Sequence, residues 1–185
     1  MLDLISLHQP DILLIQETKM EEDTFLYVSQ KFWKKGGKAA ISSRGASGGI
    51  RTLWDDKKYK AVDIKYSSCW ILTLLRQKEN NTLVRLFNIY APNSYAEKKV
   101  CWNLLWEERS NLLGNVILAG DLNIILNQDE KRGGSLIRDP IREIVEDTMS
   151  EWDLMDVKPA SGNYTWNNKR IGPGHIAARL DRFLV

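Results

Sequence analysis

Histidine and cysteine are scarce in this 185-residue sequence, with two of each. Cys69 and Cys101 match no metal-ligand spacing and no disulfide framework, which argues against a zinc module or a stapled secreted scaffold and for an intracellular, reducing compartment. His8 falls on an expected first helix. His175 stands alone in a Gly/Pro loop and reads as solvated, and no Asp-His pair occurs anywhere in the chain. No apolar run approaches the roughly 20 residues of a membrane span, and the N-terminus lacks the basic start and apolar core of a signal peptide. Charge of one sign is also missing. A net charge of +2 and a pI near 8.5 permit a nucleic-acid partner without demanding one. Without repeats, low-complexity segments or an internal linker, the chain reads as one domain over 1–185.

What is present is an ordinary soluble composition, 43% hydrophobic and 27% charged, and one informative stretch, Val116-Ile117-Leu118-Ala119-Gly120-Asp121-Leu122-Asn123. The apolar run predicts a buried central strand. Gly120 permits close approach at its end. On a strand, Asp121 and Asn123 would share a face while Leu122 points inward. A carboxylate and a carboxamide held at a sheet rim suit metal-assisted work on a phosphate; they equally suit a strand end closed by turn-forming residues.

The design recurs along the chain. Met1 to Gln9 is expected to be helical, stopped by Pro10. Asp11 to Ile15 then predicts a buried strand that delivers Gln16-Glu17 at its end, in an α/β unit. Glu17 also fits a solvated residue after a strand. Phe25, Val28 and Phe32 allow a short helix, and Ala39 to Ile41 a strand. Ser42 to Gly49 matches no dinucleotide or P-loop spacing and reads as a turn ahead of Ile50 to Trp54. Strands follow over Ala61 to Tyr66, Trp70 to Arg76 and, after an Asn-rich hairpin turn, Thr82 to Tyr90. Pro92 stops the last of these and leaves Tyr90 and Asn93 at a strand end, able to donate hydrogen bonds to phosphate oxygens. A buried tyrosine with a satisfied hydroxyl, followed by a turn asparagine, is the plainer alternative. Tyr95 to Leu113 predicts a helix with Cys101, Leu104, Leu105 and Leu112 on one side. Glu130-Lys131-Arg132-Gly133-Gly134 reads as a charged, solvated turn that could touch a nucleic-acid backbone. Ile137 to Trp152 is helical in period, with start signals at Asp139 and Pro140. Tyr164-Thr165-Trp166 and Arg179 to Val185 complete the pattern as extended segments, with Asp181 near the start of the latter.

Each polar strand end is weak alone. In order they resemble the endonuclease/exonuclease/phosphatase superfamily, through Ile15-Gln16-Glu17-Thr18, Asn88-Ile89-Tyr90-Ala91-Pro92-Asn93, Gly120-Asp121-Leu122-Asn123, Tyr164-Thr165-Trp166 and Arg179-Leu180-Asp181. Ser47-Gly48-Gly49-Ile50 with Leu53-Trp54, the Glu130 to Gly134 turn and Arg179 to Val185 are similar, more narrowly, to endonuclease domains of plant LINE-type (non-LTR) retrotransposons. The resemblance implies a four-layer α/β/β/α sandwich of two mixed sheets flanked by helices, and a DNA-nicking, Mg²⁺-dependent site, with Mn²⁺ as a substitute. On it, Glu17 binds the metal, Asp121 activates the attacking water, and Asn123 holds that water or a phosphate oxygen. Tyr90 and Asn93 bind the scissile phosphate, Thr165 and Trp166 contact the nucleic-acid backbone, and Asp181 orients a histidine. It further implies a reverse transcriptase in cis in the parent element, a monomer, no membrane and a nuclear place of action.

Two parts of the family pattern are not found. One is a leading strand carrying an Asn ahead of the first helix. The other is a closing Ser-Asp-His segment. The expectation is therefore a domain incomplete at both ends, lacking its first and last strands, and weak or inactive as a nuclease. A phosphodiesterase or phosphatase acting on RNA, nucleotides or phosphoinositides, and a non-catalytic nucleic-acid-binding remnant, are the alternatives.

Overall fold

Two β-sheets lie face to face in the computed structural model, which describes residues 2–44, 47–111, 114–135 and 138–185. Helix α1 (Leu2–His8) leads into β1 (Ile12–Ile15), and α2 (Glu22–Ser29) follows. Strands β2 (Gly36–Arg44) and β3 (Ser47–Asp55) form an antiparallel hairpin, and β1 pairs with β3, giving the sheet order β1-β3-β2. The second sheet contains β4 (Tyr59–Tyr66), β5 (Trp70–Gln77), β6 (Leu83–Tyr90), β7 (Asn115–Asp121) and β11 (Asp181–Leu184), in the order β11-β7-β6-β5-β4. This sheet is mixed: β6 and β7 run parallel and the other neighbours antiparallel. A parallel pair needs a crossover, which α3 (Tyr95–Trp106) supplies.

Strand alternation sorts the apolar residues into three layers. Ile12 and Leu14 of β1 face Ile71, Leu75 and Leu86 of the larger sheet, while Leu13 and Ile15 turn outward to Phe25 and Trp33. On the far side, Trp70, Leu72, Phe87, Ile89 and Leu118 pack on Trp102 and Leu105 of α3 and on Val145 and Trp152 of the segment around α4 (Arg142–Glu151). The result is helix, sheet, sheet, helix.

Several boundaries move from their expected places. The long helix ends in α form at Trp106 and continues as a tighter turn over Glu107–Asn111. Helix α4 starts at Arg142, where the Asp139 carboxylate accepts from the Ile141 amide. Met1, Gly45, Leu112, Leu113 and Ile137, used in the sequence-based expectations, lie outside the described residues. The expected turn over Ser42 to Gly49 is largely strand, because β2 and β3 stay paired as far as Arg44 and Ser47.

Two expectations are corrected. Cys69 and Cys101 form a disulfide, with Cα atoms 6.0 Å apart. Packing α3 against the start of β5 brings them together, a proximity to which spacing along the chain is blind, so the cysteine count no longer argues for a reducing compartment. Glu130, expected in a solvated turn, is buried. Its carboxylate meets the buried Arg179 and Arg182, and the half-buried Asp156 completes a four-charge cluster, with 2.6 and 2.7 Å bonds to the two arginines. Lys131–Arg132 form a short strand, β8, which pairs with β10 (Ala177–Ala178); β10 in turn pairs with β9 (Trp166–Asn167).

Burial pushes the Glu130 carboxyl up, but the Arg182 hydrogen bond and charge and the amides of Asn127 and Leu126 outweigh it and bring the group to about 2. The folded value lies below the ordinary 4.5, so the stabilisation is complete above that pH and drains away as pH falls from 4.5 toward 2. Urea midpoints should fall across this window. Glu130→Gln, weakened by about 3–5 kcal/mol at pH 7 through the uncompensated arginines, should show a flatter acid limb. Parallel limbs in the two proteins would refute this assignment.

Candidate active site

The rim of the sandwich is set by three strand ends. Parallel pairing of β6 and β7 puts Tyr90 beside Asp121, and antiparallel pairing of β7 and β11 puts Asp181 opposite Asp121. Gly120 sits at φ +132°, and a Cβ there would lie 2.1 Å from the Ile89 carbonyl oxygen, so only glycine lets the two strands close at this level.

The fourth contributor comes from the other sheet. Gln16 donates to the buried Asn88 carboxamide at 2.5 Å, and Asn88 donates to the Arg51 carbonyl at 2.8 Å and the Thr52 hydroxyl at 3.1 Å. This polar clamp holds the end of β1 against β6. Glu17 follows in a left-handed conformation, φ +52°. The next two amides, of Thr18 and Lys19, donate to Gly49 and Gly48. A Cβ on Gly49 would fall 2.3 Å from the Thr18 hydroxyl, so the Gly-Gly pair accommodates the loop that carries Glu17. The Tyr90 hydroxyl then donates to Glu17 Oε1 at 2.7 Å, linking the sheets at the rim.

Asn123 reaches the site by a route that strand alternation does not describe. Strand β7 ends at Asp121, and Asn123 takes φ +49°. Its amide donates to Asp121 Oδ1 at 2.9 Å and its carboxamide to the Ala91 carbonyl at 2.6 Å. Leu122 is fully buried.

Glu17, Tyr90, Asn93, Asp121, Asn123 and Trp166 all line one cavity of about 470 Å³. Trp166, on β9, is 46% exposed and forms part of its wall. Asp181 and Thr165 are not among the lining residues. Asp181 stands across from Asp121 in the strand pair, and the Thr165 hydroxyl accepts from the amides of Leu180 and Asp181 at 3.0 Å each, fixing the turn into β11. A second cavity of about 570 Å³ shares Tyr90 and Asn93 and extends past Gly48, Gly49, Ser67 and Ser68. Lys131, read from the sequence as part of a solvated turn that could touch a nucleic-acid backbone, lines the first cavity; sequence reasoning missed the clamp of Gln16 and Asn88, of which a polar residue inside the apolar β6 run was the available sign.

Electrostatically the rim is acidic. Burial raises the Asp121 carboxyl to about 6; the Asn123 amide opposes this, Asp181 and Glu17 add to it, and Lys98 opposes it. The Tyr90 phenol is also pushed up, by burial and then by its bond to Glu17, so it remains a neutral donor at physiological pH. A carboxylate that titrates near neutrality can take a proton from water, and a fixed phenol and carboxamides can hold phosphate oxygens. Among the described residues no three His, Cys, Asp or Glu side chains gather closely enough to cage a metal. An oxygen-only set with one free carboxylate still fits Mg²⁺, which takes one or two protein carboxylates and fills its remaining positions with water and phosphate. Glu17, exposed and with its second oxygen uncommitted to Tyr90, is the residue that fits.

Residues 1–185 match the family model described as "Endonuclease/Exonuclease/phosphatase family". No curated protein matches the chain. Among solved structures, the AP endonuclease LMAP from Leishmania major superposes with a TM-score of 0.69 at 17% identity, over 98% of this chain and 71% of that one. The 3' phosphatase NExo from Neisseria, bound to a product DNA hairpin, gives 0.71 at 18% identity, over 99% and 79%. The endonuclease domain of TRAS1, a telomere-specific non-LTR retrotransposon, gives 0.66 at 14% identity, over 99% and 76%. At these identities the likeness is one of fold: an α/β architecture of mixed sheet flanked by helices.

The Asp121 carboxyl lies above its ordinary 3.8. Below that pH both folded and unfolded chains hold the proton; above about 6 the folded chain must carry a charge its surroundings disfavour. Asp121→Asn should therefore stabilise the protein at pH 7–8, on the order of 1–2 kcal/mol after solvent screening, with little effect at pH 4. Thermal unfolding at the two pH values checks this; destabilisation at pH 8 would contradict it.

Proposed function

The chain belongs to the endonuclease/exonuclease/phosphatase family, and on that premise we propose that it is a divalent-metal-dependent phosphodiester hydrolase that nicks DNA, the endonuclease domain of a non-LTR retrotransposon. The observation that carries the reading is the convergence of Glu17, Tyr90, Asn93, Asp121 and Asn123 on one cavity from separate strand ends. The fold likeness to a retrotransposon endonuclease domain and the short motifs within β3, at the Glu130 to Gly134 turn and at β11 support the narrower identity. Two cavities share Tyr90 and Asn93 in their walls, an arrangement with room on both sides of these residues that favours a polymer over a free nucleotide.

Glu17 holds the metal, Mg²⁺ with Mn²⁺ as substitute, which when bound neutralises phosphate charge. Tyr90 and Asn93 hydrogen-bond the non-bridging oxygens of the scissile phosphate. Asn123 orients the attacking water, and Asp121 takes its proton as the new phosphorus–oxygen bond forms and the opposite ester bond breaks; the departing oxygen is protonated by solvent. Asp181 biases the charge of Asp121 from across the strand pair, and Thr165 sets the backbone that presents it. Trp166 offers a face on which the strand can lie. The partners are DNA and, in the parent element, a reverse transcriptase in cis; the site would act as a monomer in the nucleus.

With enzyme in excess and Mg²⁺ or Mn²⁺ present, supercoiled plasmid should convert to nicked circles; EDTA and Asp121→Ala should stop the conversion. No nicking by the wild type, nicking that survives Asp121→Ala, or release of inorganic phosphate from terminal phosphates in its place would overturn the reading.

A further inference from the structure

Lys98 is a charged residue where helix packing calls for an apolar one. It lies in the second turn of α3 and is 6% exposed. Its ammonium donates to the Asn123 carbonyl at 2.6 Å and to Asp139 Oδ2 at 2.7 Å. Burying an ammonium is costly unless its donors are met, and here two of three are satisfied by named partners. A side chain needed only to fill space between α3 and the strand end would be cheaper as methionine or leucine.

The carbonyl it holds belongs to a residue under backbone constraint. Asn123 is left-handed, a conformation that costs a non-glycine residue free energy unless its surroundings hold it there. Three bonds do so: the amide to Asp121, the carboxamide to Ala91 and the carbonyl to Lys98. The first two come from the rim itself. Only the third comes from outside it, and it also ties the rim to α3, the helix that follows the Asn93 loop, and to the Asp139 turn ahead of α4. The Lys98 charge in addition pulls the Asp121 carboxyl down against Asp181 and Glu17.

We propose that Lys98 is a positioning residue for the phosphodiester site: by holding the Asn123 carbonyl from below, it fixes the backbone turn that directs Asn123 and Asp121 into the cavity. The proposal rests on the nuclease reading for its catalytic consequence but not for its structural one.

The test compares wild type with Lys98→Met, which keeps the length and loses the donor, and Lys98→Arg, which keeps a cationic donor. The first readout needs neither metal nor DNA: amide hydrogen exchange at Asn123. The second is plasmid nicking resolved into kcat and KM. Lys98→Met should speed exchange at Asn123 by about tenfold or more, and lower kcat by about 10–100-fold, the range for partners that orient a reacting group. KM for plasmid should stay within about twofold of wild type, because no DNA contact is removed. Lys98→Arg should recover most of both. If Lys98→Met does not fold, Asp139→Ala, which unseats the ammonium from the other side, should shift both readouts in the same direction by less. Unchanged exchange at Asn123, a loss carried by KM alone, or an arginine variant as poor as methionine would overturn the proposal. A wild type that fails to nick would defeat the nuclease reading, and the exchange readout would still decide the role of Lys98.

Discussion

The parallel pairing of β6 with β7 is the constraint on which the rest depends. Its register fixes Tyr90 beside Asp121, and every other polar group at the rim is placed relative to that pair. Asp181 arrives by pairing with Asp121, Glu17 by the hydroxyl of Tyr90, and Asn123 by the carboxylate of Asp121. A slip of one residue would set Tyr90 against Gly120 or Leu122 and turn the side chains of the slipped strand to the opposite face, so that Tyr90 and Asp121 no longer shared the rim, because side chains alternate along a strand. The missing Cβ of Gly120 allows the close strand contact that this register needs.

Burying Asp121 at this rim, beside Asp181 and Glu17, has a cost, visible in its raised carboxyl. The surrounding structure offsets it with ordered donors in place of solvent. The Asn123 amide and the Tyr90 phenol point at the acidic groups, a buried lysine holds the Asn123 carbonyl, and the Gln16–Asn88 clamp fixes the strand end that brings Glu17. On the other flank, the cluster of Glu130, Asp156, Arg179 and Arg182 pins the β8–β10–β9 platform to β11. The platform supplies Lys131 and Trp166 to the cavity wall. Rigid support beneath an acidic rim is what a site working on phosphate requires, since its task is positioning and charge neutralisation.

Much of this was legible along the chain. The apolar runs ending in Glu17, Tyr90 and Asp121 announced strands with polar ends, although Ile12–Ile15, at a sheet edge, is half-buried rather than buried, and Pro92 marked the stop after β6. Period and breaker residues suffice there because a strand's two faces and its terminus are local properties. The places where reading failed share a cause. Glu130 looks solvated because it sits among Lys131, Arg132 and glycines, yet its partners are about 50 residues away. Cys69 and Cys101 carry no spacing signal because a helix docking on a sheet joins them. Lys98, in a run of charged helix residues, offers no hint of burial.

The sequence by itself determined most of the elements, their order and the small set of polar residues that end the longer strands, since these follow from side-chain periodicity and backbone preference; the short strands β8 and β10 and the paired ends of β2 and β3 did not show in it. The tertiary structure alone decided which of those residues meet. Asp181 faces Asp121 without lining the cavity, Thr165 braces a turn, and Asn123 is held by bonds from three directions. Such proximity depends on sheet register and on the packing of one layer against another, which sum contacts between residues far apart in the chain and leave no mark in any local window.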